Sequence, residues 1–598
     1  MLTLDTVDYT TVIFFLLIFI GIGIWFAQLR IDSDTFFSSR HQLPGWLAGI
    51  SYFMSGYSAN TFTSFMAIMV MVGVAPIFSS VAGTISGAVF AYFFAAVWWH
   101  RSGVDSVPEY MGKMYGKLGQ KFILATNLPA LILGDSIRFY ISGLLISTVT
   151  GIPVWVSMMI TSLVLFAYVV TGGLWGAVIT DTIQCFLKFL LLVLMVILSI
   201  EKAGNISSIL AKLPESHFSI FPGGGFSLFQ SNTAVESFCL SAFLFTILIT
   251  GPMSDSTIWA CVQRYTAAKN INETKKVPLF YLLFTVPMML LLAIPAIAAS
   301  QYMPEIRGDW KLAEMSYIRG AQMLLPHGLL AILVIGILST NMAVLSSQSV
   351  IISQSFSKDI YKAYIRPNAS EKSMIIVARA TTLTYFVFCT LLAFMVPKIG
   401  GIFWANTIIG AIIGPAMGIP VYITLFYRKA PTWGLISSVS IAMIFGGVLS
   451  FARQLGLTEL DVALWIRGTI PFMIVLIGML VTGLLFPPKG EEKEKRDHIH
   501  FAMRNRTVSG DQIEQKKMDT ENIPPVFIPV NAMVGLPILL LGLFMSVTMQ
   551  ISANSDSLAY KCGMGMCVIL IVGGLLLVKS NKKNRESYDA AKRIYKGY

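Results

Sequence analysis

The chain has 598 residues, of which 55% are hydrophobic and only 12% charged, and its mean hydropathy is +0.72. Soluble domains carry about 25% charged residues, so this composition excludes a soluble globular protein and predicts a polytopic membrane protein, organised by spans and loops. The formal charge of +12 fits Lys and Arg gathered in the loops on one side of a membrane and gives no reason to expect a nucleic-acid partner.

In chain order, about fifteen apolar segments of bilayer length appear. They lie near 9–28, 46–73, 77–99, 120–149, 153–171, 178–200, 236–258, 277–300, 328–356, 374–396, 401–427, 432–452, 467–486, 529–549 and 560–578. The first is too long for a signal-peptide core and lacks a preceding basic region, so it is a retained span. Alternate connections hold the basic residues: Arg30 and Arg40; His100, Arg101, Lys113 and Lys117; Arg264, Lys269, Lys275 and Lys276; Lys358, Lys362, Arg366 and Lys372; Arg428 and Lys429. The KGEEKEKR run at 489–496 and the tail from Lys579 to Lys596 fall on the same side. The positive-inside rule then places the N-terminus outside and the C-terminus in the cytoplasm of a multi-pass cell-membrane protein. The polar stretch 487–525 reads as a solvated cytoplasmic linker, and the last two spans as an appendix to the core.

The second span is the most informative. WLAGISYFMSGYSANTFTSFMAIMVMVG runs from Trp46 to Gly73 and holds Ser55, Gly56, Tyr57, Ser58, Asn60, Thr61, Thr63 and Ser64 at its centre. An unpaired polar group in hydrocarbon costs several kcal/mol, and irregular backbone survives at membrane depth only against protein or a watery cavity. Interrupted helices of this kind form ion and solute sites in secondary transporters. Close helix–helix contact through small polar residues is the plainer alternative. The six cysteines (Cys185, Cys239, Cys261, Cys389, Cys562, Cys567) lie in or beside apolar segments without metal-ligand spacing to His, as small buried hydrophobes. No P-loop, GxGxxG, HExxH or paired-Cys motif appears. The chain is therefore expected to be no enzyme.

Further motifs follow in order: DTFFSSRHQLPGW at 34–46, SVPEYMGKMYGK at 106–117, TGIPVW at 150–155, YVVTGGLWGAVITDTIQ at 168–184, QRYTAAKN at 263–270, and the run from Leu325 to Tyr361 that contains LSSQ. This ordered set, over roughly residues 9–450, resembles the sodium:solute symporter family, which includes sodium–proline, sodium–sugar and sodium–sialic acid symporters. The resemblance implies an all-α, LeuT-like core of two inverted five-helix repeats with extra N- and C-terminal helices. It divides the chain into 1–45 (extra helix and loop), 46–200 (first repeat), 201–431 (second repeat), 432–486 (peripheral helices), 487–525 (linker) and 526–598 (C-terminal helices and basic tail). It also implies cation-coupled symport of a small organic solute by alternating access, with Na+ as the usual ion. Proton-coupled or sodium-independent transport, or a transporter-derived sensor, are the other variants.

By the same resemblance, Met54 and Tyr57 would offer carbonyls to sodium. Ser55, Ser58, Asn60 and Thr61 would meet the solute. The hydroxyl pair that usually completes the first sodium position falls on Ala343 and Val344, which cannot ligate a hard cation. Ser339 and Thr340 lie one turn earlier, Thr340 where the family offers a carbonyl. A second sodium position matches Asp181 with Ser346 and Ser347, although Asp181 would also serve as an interfacial cap or a proton carrier. Arg138 shares a helix face with Asp135; it either pairs with that acid or presents its planar fork to an anionic solute. Lys188 is expected to snorkel or to be paired, and Arg264 and Arg379 to anchor the cytoplasmic edge. Neither the solute's identity nor the oligomeric state is legible.

Overall fold

The computed structural model describes residues 6–28, 42–211, 213–223, 238–325, 329–399, 402–451, 464–505, 530–552 and 557–596. Residues 34–41 of the first quoted motif and 506–525 of the expected linker lie outside them. The described residues are helical almost throughout, with one isolated bridge between Leu43 and Ala268. Eleven of their helices are long and apolar enough to cross a membrane. The other expected crossings are shorter or broken.

The first crossing is α1 (Thr6–Gln28). The second is split into α2 (Gly45–Gly56) and α3 (Ser64–Val72), joined by the 3-10 turn Ala59–Phe62. Then come α4 (Ala75–Ser102), α5 (Val107–Thr150), α6 (Val154–Phe166) and α7 (Leu174–Ala203). The helix α5 is kinked at Gly116, where φ is +69°. Only a residue without Cβ takes that conformation freely, and Thr432 Oγ1 bonds the neighbouring Tyr115 carbonyl at 3.1 Å.

The seventh crossing begins as α8 (Leu240–Phe245, through a π turn Thr246–Thr250 into Gly251–Thr257), stops at Ile258, and resumes as α9 (Trp259–Ala267). After α10 (Ile271–Tyr302) the chain packs α11 (Ser316–Leu324) near the break in the second crossing, before α12 (Leu329–Gln354) and α13 (Glu371–Ala393). The next crossing is divided at Gly418 into α14 (Ile402–Met417) and α15 (Ile419–Phe426). The remaining helices are α16 (Thr432–Ser450), α17 (Leu464–Leu485), α18 (Gly490–Asn505), α19 (Val530–Ser552) and α20 (Leu558–Lys596).

The first helix of each five-helix half is therefore discontinuous: α2/α3 in one, α8/α9 in the other. Breaks at corresponding positions of two repeats are the signature of a midplane site. The backbone groups released at Ile258 find partners. The Trp99 indole donates to the Ser256 carbonyl at 2.7 Å and the Tyr265 hydroxyl to the Asp255 carbonyl at 3.0 Å, as buried carbonyls require. The segment just before α2 also meets the end of α9: Leu43 N donates to Ala267 O and Lys269 N to Leu43 O, both at 3.1 Å.

Glycines set the contact between α4 and α8. A Cβ on Gly251 would stand 2.3 Å from the Gly83 carbonyl oxygen. Small residues of this kind let helices approach closely in lipid, where apolar burial gives no net drive.

The expected solvated linker is only partly that. Its residues 490–505 form α18, which docks on the end of the bundle that carries α15. Arg496, His500 and Arg504 recur every four residues on one face. They donate to the carbonyls of Arg428 and Ala430, of Thr424, and of Leu425 respectively. The last carbonyls of α15 have no helical continuation, and this basic face satisfies them.

Candidate functional site

At the end of α2 the last four carbonyls, including that of Met54, have no continuing helix to receive them. Tyr57 follows with φ −112°, ψ 89°, and Ser58 is extended, its hydroxyl accepting from the Asn60 amide at 3.3 Å. Met54, Ser55, Tyr57 and Ser58 are all buried; Asn60 and Thr61 are half-buried. The irregular backbone is thus lined by protein rather than exposed to lipid, as the sequence predicts.

Four helices meet beside it. Ser55 Oγ lies 2.9 Å from Ser347 Oγ of α12. One turn earlier on α2, Ser51 donates to Asp181 Oδ2 of α7 at 2.6 Å. Arg264 of α9 enters the same space, its Nη2 donating to Ser347 at 2.7 Å and to Ser51 at 3.0 Å, with Asp181 Oδ2 at 3.9 Å. Arg264, Asp181 and Ser347 are fully buried. Burying a guanidinium without acceptors would be prohibitive; here Ala260 O, Gln263 Oε1 and the two serines receive its N–H groups.

The structure thus brings Ser55, Asp181 and Ser347 together, and adds Ser51 and Arg264. Arg264 is not the edge anchor that its loop position suggests: its whole length is inside. Ser346 is buried next to Ser347 and donates to the Ala343 carbonyl at 2.9 Å. Thr340 donates to Gly336 O at 2.8 Å. Ala343 and Val344 are buried and present no side-chain oxygen. Asp181 Oδ1 has no hydrogen-bond partner among the described residues.

Arg138 stands apart from this group. It pairs with Asp135 of its own helix, and Asp135 Oδ2 also accepts from the Tyr385 hydroxyl at 2.8 Å. The Arg138 side chain remains 28% exposed while Asp135 is fully buried, so part of its fork is open. Asn341 of α12 braces that turn by donating to the Arg138 carbonyl at 2.9 Å.

Three features escaped the sequence reading. Asn406 of α14 donates to Asn60 Oδ1 at 3.2 Å, tying the irregular turn to the divided eleventh crossing; a lone Asn in IFWANTIIG was the available signal. Tyr52 donates to Asp255 at 2.5 Å. Lys188 does not snorkel, and its Nζ has no hydrogen-bond partner among the described residues. It is 2% exposed, and its Nζ lies 4.1 Å from the Tyr57 ring centroid, 5.1 Å from that of Phe53 and 5.8 Å from that of Phe62. No group of three or more His, Cys, Asp or Glu that could hold a metal ion occurs among the described residues.

The model of the sodium:solute symporter family matches residues 36–446. The sodium/glucose cotransporter of Vibrio parahaemolyticus is 25% identical over 79% of this chain and 90% of its own length. The sodium/sialic acid symporter of Proteus mirabilis is 23% identical over 81% of this chain and 96% of its own. A solved structure of a Na+-coupled sialic acid symporter, substrate-bound and outward-open, superposes with a TM-score of 0.69 at 20% identity, covering 81% of this chain and 99% of that one. That likeness shows the fold, a LeuT-like core. The relatives are symporters and not enzymes.

Proposed function

This chain belongs to the sodium:solute symporter family, and from that premise we propose that it moves a small organic solute across a cell membrane by alternating access, driven by a sodium gradient. The observation that carries this reading is the 2.9 Å contact between Ser55 and Ser347 beside the broken second crossing. Polar side chains from two scaffold elements converge there, at the depth where an inverted-repeat transporter holds its cargo.

Sodium needs oxygen donors. The first position retains only backbone carbonyls, from Met54, Tyr57 and Thr340. The second is better furnished: Asp181 keeps one carboxylate oxygen without a partner among the described residues, and the hydroxyls of Ser346 and Ser347 retain lone pairs. We place the coupling sodium there. The solute meets Ser55, Ser58, Asn60 and Thr61, and the open part of the Arg138 fork suits an anionic group. Relatives named for glucose and sialic acid support a polyhydroxylated solute. The basic loops support an N-terminus outside and α18 in the cytoplasm.

A ligand that binds only the native state raises apparent stability, by about 2.7 kcal/mol at a hundred times its Kd. Thermal unfolding of the purified chain with monosaccharides, sialic acid and myo-inositol, each in sodium or choline chloride, tests the reading. A solute that stabilises in sodium and not in choline is the expected result. Stabilisation indifferent to the cation removes the sodium claim.

A further inference from the structure

The helix α18 and the loop that follows α15 form a surface that the transport reading does not use. Between them lies a cleft of about 750 Å3, lined by the rings of Phe426 and Phe501 and by the side chains of Arg428, Lys429 and Arg504. Asp497 is the one acid in that lining among the described residues, and it is already paired with Arg428 Nε at 2.9 Å. Lys429 is exposed and has no partner among the described residues. A guanidinium has five N–H donors, and Arg504 uses one of them, from Nη2 to the Leu425 carbonyl at 2.7 Å. The same loop borders a second cavity of about 480 Å3, whose lining adds Lys489 and Lys493. Cationic groups with open donors are thus gathered around a single, neutralised acid.

The cleft lies at the level of an aromatic belt. Phe90, Phe94 and Trp98 of α4 and Tyr422 and Phe426 of α15 form one cluster of rings, in which the Trp98 ring lies 5.6 Å from those of Phe94 and Phe426. The Arg504 guanidinium caps it, with Cζ 4.8 Å from the Trp98 ring centroid. Phe94, Phe426 and Phe501 are 46%, 45% and 61% exposed. On the other flank of the Arg428–Lys429 loop, Trp433 and Phe486 meet edge to face at 5.5 Å, each more than half exposed. Rings so placed mark the boundary between acyl chains and water.

A free anion would satisfy the guanidinium and ammonium groups but leave the exposed rings without a partner. A zwitterionic headgroup would bring its own cation into a cationic cleft. A phospholipid of net negative charge matches both parts: its phosphate meets Arg428, Lys429 and Arg504, and its acyl chains run beside Phe426 and Phe94. Basic pockets beside membrane helices on the cytoplasmic side take such headgroups, and the basic loops assign α18 to that side.

We propose that the cleft between the end of α15 and α18 is a binding site for the headgroup of an anionic phospholipid, and that the bound lipid holds α18 on the bundle. Both elements contribute walls, so the lipid binds the docked helix and not the undocked one, and docking is favoured by mass action. Neither the solute nor the placement of sodium enters this assignment.

Amide exchange over residues 490–505 of the full chain in lipid nanodiscs tests it, without solute or turnover, so its failure is separable from failure of the transport reading. Replacing phosphatidylcholine by phosphatidylglycerol should slow exchange about tenfold, as for a ligand at roughly ten times its Kd. Inorganic phosphate added to phosphatidylcholine nanodiscs should leave exchange unchanged. If phosphate slows exchange as much as phosphatidylglycerol does, the cleft takes a free anion and the lipid proposal falls. Lys429→Gln removes a charge worth about fivefold in affinity at a membrane surface, so the lipid effect should shrink to about threefold. Lys372→Gln, exposed on the same side of the chain but outside the cleft, should keep the full effect. Equal exchange in the two lipids, or a lipid effect of the same size in both variants, overturns the proposal.

Discussion

Arg264 Nη2 lies 2.7 Å from the hydroxyl of Ser347, so a guanidinium from the second repeat's broken first helix is anchored on α12. Through Ser51 and Asp181 the same group reaches α2 and α7. Removing one partner of a buried charge pair leaves the other uncompensated, at about 3–5 kcal/mol. Arg264→Met should therefore destabilise the chain by that order, and Asp181→Asn should relieve part of the loss in the double variant. Thermal unfolding of the four proteins of this cycle checks it. Strict additivity would show that the two side chains do not share a network.

The crossing of α4 and α8 depends on Gly83 and Gly251 in close approach. Gly251→Val drives a side chain into the Gly83 backbone, and overpacking of this kind costs about 1–3 kcal/mol. Gly410→Ala is the control: a Cβ there meets nothing within 4 Å among the described residues, so its stability should change by less than about 1 kcal/mol. Equal losses at the two sites would refute the crossing.

His500 gives α18 a pH dependence. Its Nε2–H donates to the Thr424 carbonyl at 3.0 Å, and burial, reinforced by the neighbouring Arg504 and Arg428, pushes its pKa down to about 4 from the ordinary 6.5. The docked helix therefore favours the neutral ring. Between pH about 6.5 and about 4 the undocked state binds more protons, so docking is complete above about 6.5 and weakens as pH falls toward about 4. Amide exchange of residues 490–505 should rise through that window beyond its intrinsic pH dependence, and His500→Gln should flatten the profile. An unchanged profile in the variant assigns the effect elsewhere.

Asp135 holds two partners, Arg138 and Tyr385. Tyr385→Phe removes one neutral donor and should cost about 1 kcal/mol. Arg138→Gln leaves the fully buried Asp135 without its counter-charge and should cost more, while Asp135→Asn costs less because the Arg138 left behind is partly exposed. Thermal unfolding checks the order Arg138, Asp135, Tyr385, which would be wrong if Tyr385→Phe proved the most damaging.

Much of this was legible because lipid penalises polar groups so steeply. The cluster from Ser55 to Ser64 marked either a break or a close helix–helix contact, and the motif order pointed to the repeats. The break at Ile258 was not read from the sequence: GPMSDSTIW carries Ser254, Asp255, Ser256 and Thr257, but the partner that satisfies the Ser256 carbonyl, Trp99, lies far away in the chain. Arg264 and Lys188 were misplaced for one reason. A basic residue beside a loop or within an apolar run looks like an anchor or a snorkeller until the acceptors and rings brought by other helices are known. Residues 490–505 looked solvated because half of that helix is; what a polar helix docks against is a property of its neighbour's open end.

The most direct test is accumulation of labelled solute, taken from the monosaccharide, sialic acid and inositol panel, in proteoliposomes holding the purified chain. The account predicts concentration above equilibrium only under an inward sodium gradient, abolished in Asp181→Asn while simple exchange persists. Equal accumulation with sodium absent, or in Asp181→Asn, would contradict it.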